Sequence, residues 1–299
     1  MRSFEEASGQ LRHLASAFYE LVMRDYGPPW AEGSRVFGEV QEDPYYRGRW
    51  GTRPVQDATM SAHAALVLAH DHLVGMAHLF SAKHTLTTPI TLARTVMVAT
   101  GRAYWQLDPS ISARERLRRA MNVQLASYQE RDNLLAPEQS KARDKLVSQI
   151  LAITQTAPHH GFKVVTEKPK YGQLAPSRYL DSKLPHEMKM VHELLADDDS
   201  DGLGRMIYRV ASAVVHAQPH TLGLMNFQTT GPRVDGVGAA EMSLSLPALT
   251  SFTGGAVLGI YNSAGRALEH AGLPVRAWER AALPVLRKWG ETMRQFPGA

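Results

Sequence analysis

With 299 residues the chain is long enough for one large domain or two ordinary ones, and its 44% hydrophobic content suffices for a sizeable core. It has no cysteine, which excludes a disulfide framework, a thiol nucleophile and thiolate-held metal sites, and which suits a cytoplasmic protein. The net charge of +4 permits an anionic partner without demanding one; no apolar run reaches the ~18–20 residues of a membrane span, so no membrane partner is expected.

Ser3-Phe-Glu-Glu6 has the capping-box pattern, and Leu11, Leu14, Phe18 and Leu21 follow at helical spacing, predicting a first helix over about 4–25. With its early acids and no apolar stretch, this N-terminus is not expected to be a secretory signal. Tyr26 to Val55 is rich in Gly, Pro and aromatics without a clear period, and reads as an ordered loop packed by its own rings. Leu66, Ala69, Leu73, Met76 and Phe80 mark a second helix from about Asp57 to Ala82, which carries His63, His70, His72 and His78. Thr88 as cap and Pro89 in the first turn open a third, ending near Trp105.

Charged amphipathic helices follow at Arg114 to Leu135 and Pro137 to about Thr156. Pro158 to Pro185 is a long excursion holding at most a short strand. Helical signal returns from Pro185 to Leu195, and the acidic run 197–201 precedes a central helix from Gly204, which Pro219 ends. Leu222 to Thr229 and Ala240 to Leu246 alternate as a small hairpin. Helices from about Pro247 to Ala271 and Val275 to Phe296 complete the chain, with Gly272-Leu-Pro274 as the stop between them. No repeat is present, so one all-α, single helical-bundle domain over 1–299 is expected.

Several signatures are absent. There is no Gly-x4-Gly-Lys-Ser/Thr loop, no Gly-x-Ser-x-Gly elbow, no Glu-x-x-His and no His-Glu-x-x-His, and Gly236-Val-Gly238 lacks the strand and third glycine of a dinucleotide turn. Neither a metal nor a cofactor is therefore expected. His63 and His70 are spaced to address one ligand, but no carboxylate completes a metal set, so half-buried or surface positions are expected for them. Arg114, Arg116, Arg118 and Arg119 read as a solvated helix face, with an RNA-binding patch as the alternative.

The central helix stands apart because Arg209, Ser212 and His216 share a face: seven residues is nearly two turns, so His216 returns to within ~20° of Arg209. Tyr208 flanks the stripe. A cation, a hydroxyl and an imidazole on one wall of an otherwise apolar helix need partners or a purpose. The structural alternative pairs Arg209 with Asp71 or Asp201 and leaves His216 capping a helix end.

Arg209-Val-Ala-Ser-Ala-Val-Val-His216 resembles the Arg-x4-6-His signature of the HEPN superfamily. Tyr208-Arg-x2-Ser-x3-His216-x2-Pro219 and Leu92-Ala-Arg94 leading to Tyr104-Trp105-Gln-Leu-Asp-Pro109 are similar to a group of mostly actinobacterial HEPN-like helical proteins. That group commonly has a glutamate four residues after the arginine corresponding to Arg94, where this chain has Val98. The resemblance covers about residues 57–225, leaving the aromatic segment and the C-terminal helices 247–296 outside it. It implies a metal-independent ribonuclease acting on RNA phosphodiesters as a homodimer. In that reading His216 is the general base or acid, Arg209 holds the phosphate, and Ser212 orients one of them. Tyr208, His220, Arg94, His70 and Asp71 are the substrate-binding candidates. The alternatives are a non-catalytic HEPN-like scaffold, a binder of an anionic small molecule, or a helical-bundle biosynthetic enzyme with its site among His63, His70 and His216.

Overall fold

Ser3 Oγ accepts the Glu6 N–H at 3.1 Å and starts α1 (Phe4–Phe18), which runs on as a π-turn over Tyr19–Met23. Next come α2 (Arg35–Val40), α3 (Asp43–Tyr46), α4 (Pro54–Ser81), α5 (Thr88–Gln106), α6 (Ala113–Leu134) and α7 (Ser140–Thr156). Strands β1 (Val164–Glu167) and β2 (Ser177–Leu180) lead to α8 (Glu187–Leu195) and α9 (Leu203–Val215). Strands β3 (Asn226–Val234) and β4 (Val237–Ser243) precede α10 (Leu246–Ala271) and α11 (Val275–Met293). The computed structural model describes residues 1, 3–24, 26–82, 87–136, 138–169, 176–196, 203–234 and 237–295; side chains at 203, 220, 222, 224, 229–234 and 237–240 lie outside that description. The acidic run 197–201, Pro137 and the hairpin residues 235–236 fall outside it too.

The architecture is all-α, with two antiparallel two-stranded sheets as its only sheets among the described residues. α4 is central: α1 packs on one side and α5 on another, α10 lies on α5, and α11 closes against α10 and α1. The large core includes Phe18, Leu66, Leu73, Met76, Met97, Ile260, Trp278 and Trp289, all buried. A smaller cluster forms where Tyr46, Trp50 and the first turns of α4 meet Leu117 and Leu125 of α6, Ile153 of α7, Phe162 and Leu180.

Three expectations about the elements before α8 need correction. The aromatic segment packs on its own rings only in part, at Tyr45 and Tyr46, whose ring centroids lie 4.7 Å apart. It folds into α2 and α3, sends Tyr26 and Trp30 into the large core, and places Trp50 against Phe162 with its indole N–H donating to the Ile153 carbonyl at 3.2 Å. The 158–185 excursion carries two strands, paired from Val164↔Leu180 to Glu167↔Ser177. Side-chain amides of α6 close the outer edge of β2: Asn122 exchanges hydrogen bonds with the Leu180 N–H (2.7 Å) and carbonyl (3.1 Å), and Gln129 does the same for Arg178 at 3.0 and 2.9 Å. The third concerns the start of α5, where Thr87, not Thr88, is the cap and its side chain makes no capping bond.

The arginines of α6 are neither a solvated face nor an RNA patch. Arg116 is fully buried, donating to Glu39 at 2.7 and 2.9 Å and to the Gln106 carbonyl. Arg118 is buried and holds the Leu180 and Ser182 carbonyls at 3.1 and 2.8 Å, while Arg119 lies over the Trp105 ring and pairs with Glu115. Arg114, the most exposed, covers the Phe162 ring and donates to the Gly161 carbonyl at 2.7 Å.

Glu39 also receives Arg35 at 2.9 Å and the ring of buried His270 at 3.0 Å, and His270 Nδ1 accepts from the Tyr26 hydroxyl at 3.4 Å. Burial alone would raise the Glu39 pKa, but the hydrogen bonds from His270 and Arg116, with the Arg116 charge, bring it down to about 2. Burial holds His270 below its ordinary value against the pull of Glu39. The imidazole is thus neutral near pH 7 and donates from Nε2, so its contact with Glu39 is a hydrogen bond and not an ion pair.

Two predictions follow from this network. Arg116→Met strands a buried carboxylate and lowers stability by about 3–5 kcal/mol in urea denaturation, and adding Glu39→Gln recovers part of the loss. Both Glu39 and His270 have folded pKa values below their unfolded ones. Their contribution is complete above 4.5 for the carboxyl and 6.5 for the imidazole, and is lost progressively below those values as pH falls through the lower folded pKa, about 2 for Glu39. Between pH 7 and pH 5 His270→Gln therefore shows a shallower fall in urea midpoint than wild type; an unchanged slope would remove His270 from this role.

Candidate functional site

α9 is positioned by close backbone approach. A Cβ on Gly204 would sit 3.1 Å from Leu195 Cβ and 3.3 Å from His192 Cα, and one on Gly101 would sit 3.3 Å from the Met190 backbone, so only glycine lets α8 seat tightly on both α9 and α5. Gly204, Ile207, Tyr208 and Ala211 form the buried side of α9.

Tyr208 fixes the helix through a three-residue contact that spans α5, α8 and α9. Arg94 Nη2 donates to the Tyr208 hydroxyl at 2.9 Å and lies 3.4 Å from Glu187 Oε2, while Tyr208 donates to the same carboxylate oxygen at 3.1 Å. The Arg94 guanidinium also stands over the Tyr208 ring at 5.2 Å. Burial, then the Glu187 charge, raises the Tyr208 pKa against the opposing Arg94, so the phenol stays protonated and cannot serve as a base at neutral pH. The sequence singled out Arg94 and Tyr208 but missed Glu187. Val98 leaves Arg94 without an acid on its own helix, and the acid comes instead from the first turn of α8, 93 positions away.

Arg209 and His216 are exposed and Ser212 is half-buried. Together with Arg205, a further exposed cation missed by the sequence reading, they occupy a sector of ~60° on the helical wheel, beside Tyr208.

α9 does not run to Pro219. It stops at Val215, with the His216 N–H on the Ser212 carbonyl, the Ala217 N–H on Val214 and the Gln218 N–H on Ala213, each at 3.0 Å. This is a Schellman closure with His216 as the cap and Ala217 in the left-handed position, at φ 49°. His216 does end a helix, as the structural alternative held, while its ring remains in solvent. Pro219 opens a 3-10 turn through Leu224, and the side chain of His220 lies outside the described residues.

The other candidates lie elsewhere. His70 packs against Phe18 and Tyr19 and hydrogen-bonds the Ala15 backbone, while Asp71 is exposed on α4. His63 stacks on Tyr26 at 5.0 Å. Burial lowers the pKa of both imidazoles. The structure therefore does not bring His63, His70 and His216 together. Among the described residues no three His, Asp or Glu gather at metal-ligand distances. Clefts among the described residues lie along β2, along α11, beside Trp50 and between α4 and β4, and Arg209 and His216 line none of these.

Compared with known proteins, the chain matches no family model, no curated protein and no solved structure. Its described helices include none long and apolar enough to cross a membrane.

Ala217 is exposed and holds a left-handed backbone at φ 49°. Ala217→Gly is expected to stabilise the protein by about 0.5–1 kcal/mol, measured as a raised urea midpoint, because glycine tolerates this conformation at the cost of some chain entropy.

Proposed function

We propose that the exposed face of α9 binds RNA and cleaves its phosphodiesters without a metal, in a homodimer of HEPN-like protomers. The observation that carries this reading is that Arg209 and His216 emerge together into solvent from a helix whose neighbouring stripe is pinned by Tyr208, Arg94 and Glu187.

The chemistry needs a proton acceptor, a proton donor and a cation. An imidazole with the properties of His216 takes the 2′-hydroxyl proton as that oxygen attacks phosphorus and forms a cyclic phosphate. The leaving 5′-oxygen must gain a proton, and a two-fold interface would bring a second His216 to supply it. Arg209 faces the phosphate as a permanent, planar donor that follows the charge building on the non-bridging oxygens. Ser212, one turn from both, orients one of them. Arg94 is already neutralised by Glu187, so its part is to hold Tyr208 and through it the pitch of α9.

A second reading, a non-catalytic module that binds an anionic ligand, is favoured by the open surface around the strip. The two separate in one assay. Purified protein incubated with total RNA in EDTA is expected to cut it, with activity lost at least a hundredfold in both Arg209→Ala and His216→Ala. Light scattering is expected to give a dimer mass. Intact RNA with wild-type protein would leave the binding module.

A further inference from the structure

The sequence places its densest arginine run on α6, but the structure turns those side chains inward; four exposed arginines instead line α11 and its C-cap. Trp278, Ala282, Val285, Trp289 and Thr292 form the buried side of that helix. Arg276, Arg280, Arg287 and Arg294 are all exposed and fall within ~40° of one another, on the side opposite the two tryptophans. They follow one line for ~27 Å at 1.5 Å per residue. None makes an ion pair among the described residues, unlike Arg116, Arg118 and Arg119 of α6. Nearby Lys288 is turned off the line toward Glu6, while Glu279, which raises the Tyr261 pKa, and the exposed Glu291 stand beside the row, so the four arginines outnumber two carboxylates. Pro284 lies inside the unbroken helix in the middle of the row, where an open groove of about 700 Å³ is lined by Arg276, Arg280 and Arg287 together with Glu279.

We propose that this ridge on α11 is a docking surface for a nucleic-acid backbone, single-stranded RNA in particular, separate from the α9 strip. Like charges in register along a helix repel one another, and packing gives them no return because they point away from the core. Guanidinium groups match phosphate oxygens as planar forks, and a row of them tracks a line of phosphates. The ridge has no aromatic platform, so it grips the backbone and reads no sequence. An anionic membrane fits less well, because interfacial helices insert an apolar face, and the apolar face of α11 is already buried under Trp278 and Trp289. The proposal does not rest on cleavage by α9.

The test is fluorescence anisotropy with a labelled mixed-sequence RNA of about 20 nucleotides, in EDTA and over a range of salt. A His216→Ala background keeps the RNA intact. The ridge variant neutralises Arg276, Arg280, Arg287 and Arg294 to Gln. A control of equal charge change neutralises the exposed Arg47, Arg131, Lys141 and Lys145 to Gln, and circular dichroism confirms that both fold. The ridge variant is expected to bind at least tenfold more weakly, with the slope of log K against log salt reduced by roughly 2–3, while the control changes less than threefold. The proposal is overturned if the ridge variant binds like the background protein, if both variants weaken equally, or if the background protein ignores RNA. It is equally overturned if that protein binds phosphatidylserine vesicles in preference to RNA.

Discussion

One buried carboxylate ties the molecule together. Glu39 sits on the short helix α2, and its two oxygens collect Arg35 from the same helix, Arg116 from α6 and His270 from α10. Those contacts join the satellite cluster around α6 to the main core through polar bonds of fixed direction. Because a buried ion pair recovers its desolvation cost only when every lone pair is used, the group tolerates little relative movement of the three helices. Hydrophobic contacts alone would let α6 slide; this carboxylate sets where it stops.

That constraint reaches the candidate site through α5. Arg116 also holds the Gln106 carbonyl at the end of α5, and Arg119 holds Trp105 from the same turn. One end of α5 is thus locked to α6, while Arg94 nearer its start meets Tyr208 and Glu187. The pose of α9, and with it the direction in which Arg209 and His216 leave the surface, depends on a helix pinned at both ends.

Local signals were legible in the sequence and distant partnerships were not. The Ser3 cap and the Gly272 stop were readable because each is completed within a few residues: Ser3 Oγ meets the Glu6 N–H, and Gly272 takes the left-handed conformation at φ 69°. The hairpin of β3 and β4 was visible as two alternating runs, with Phe227 opposite Met242, but its bounds differ: Leu222 belongs to the 3-10 turn, β3 runs on to Val234 and β4 starts at Val237. The α6 arginines misled because a polar helical period looks the same whether its charges meet water or a carboxylate 77 positions away, as Arg116 does. β1 and β2 were obscured because four-residue strands carry too little alternation, and part of their edge pairing comes from α6 side chains. The true end of α9 was hidden by Ala217, since alanine gives no hint of a left-handed turn, whereas Pro219 drew the boundary too far along. At the site the sequence pointed to Arg94 and Tyr208, which meet, but also to His70, which packs against Phe18 and Tyr19, and to Asp71, exposed on α4.

The amides of Asn122 and Gln129 have a consequence beyond holding the β1–β2 ribbon in place. A two-stranded ribbon normally presents two rows of free backbone groups, either of which can template a foreign strand and seed aggregation. Here α6 has satisfied the row on β2 from within the molecule, so growth of that kind is restricted to β1. That strand is only four residues long and is flanked by Lys163 and Lys168, whose charges disfavour stacking with a second copy of itself.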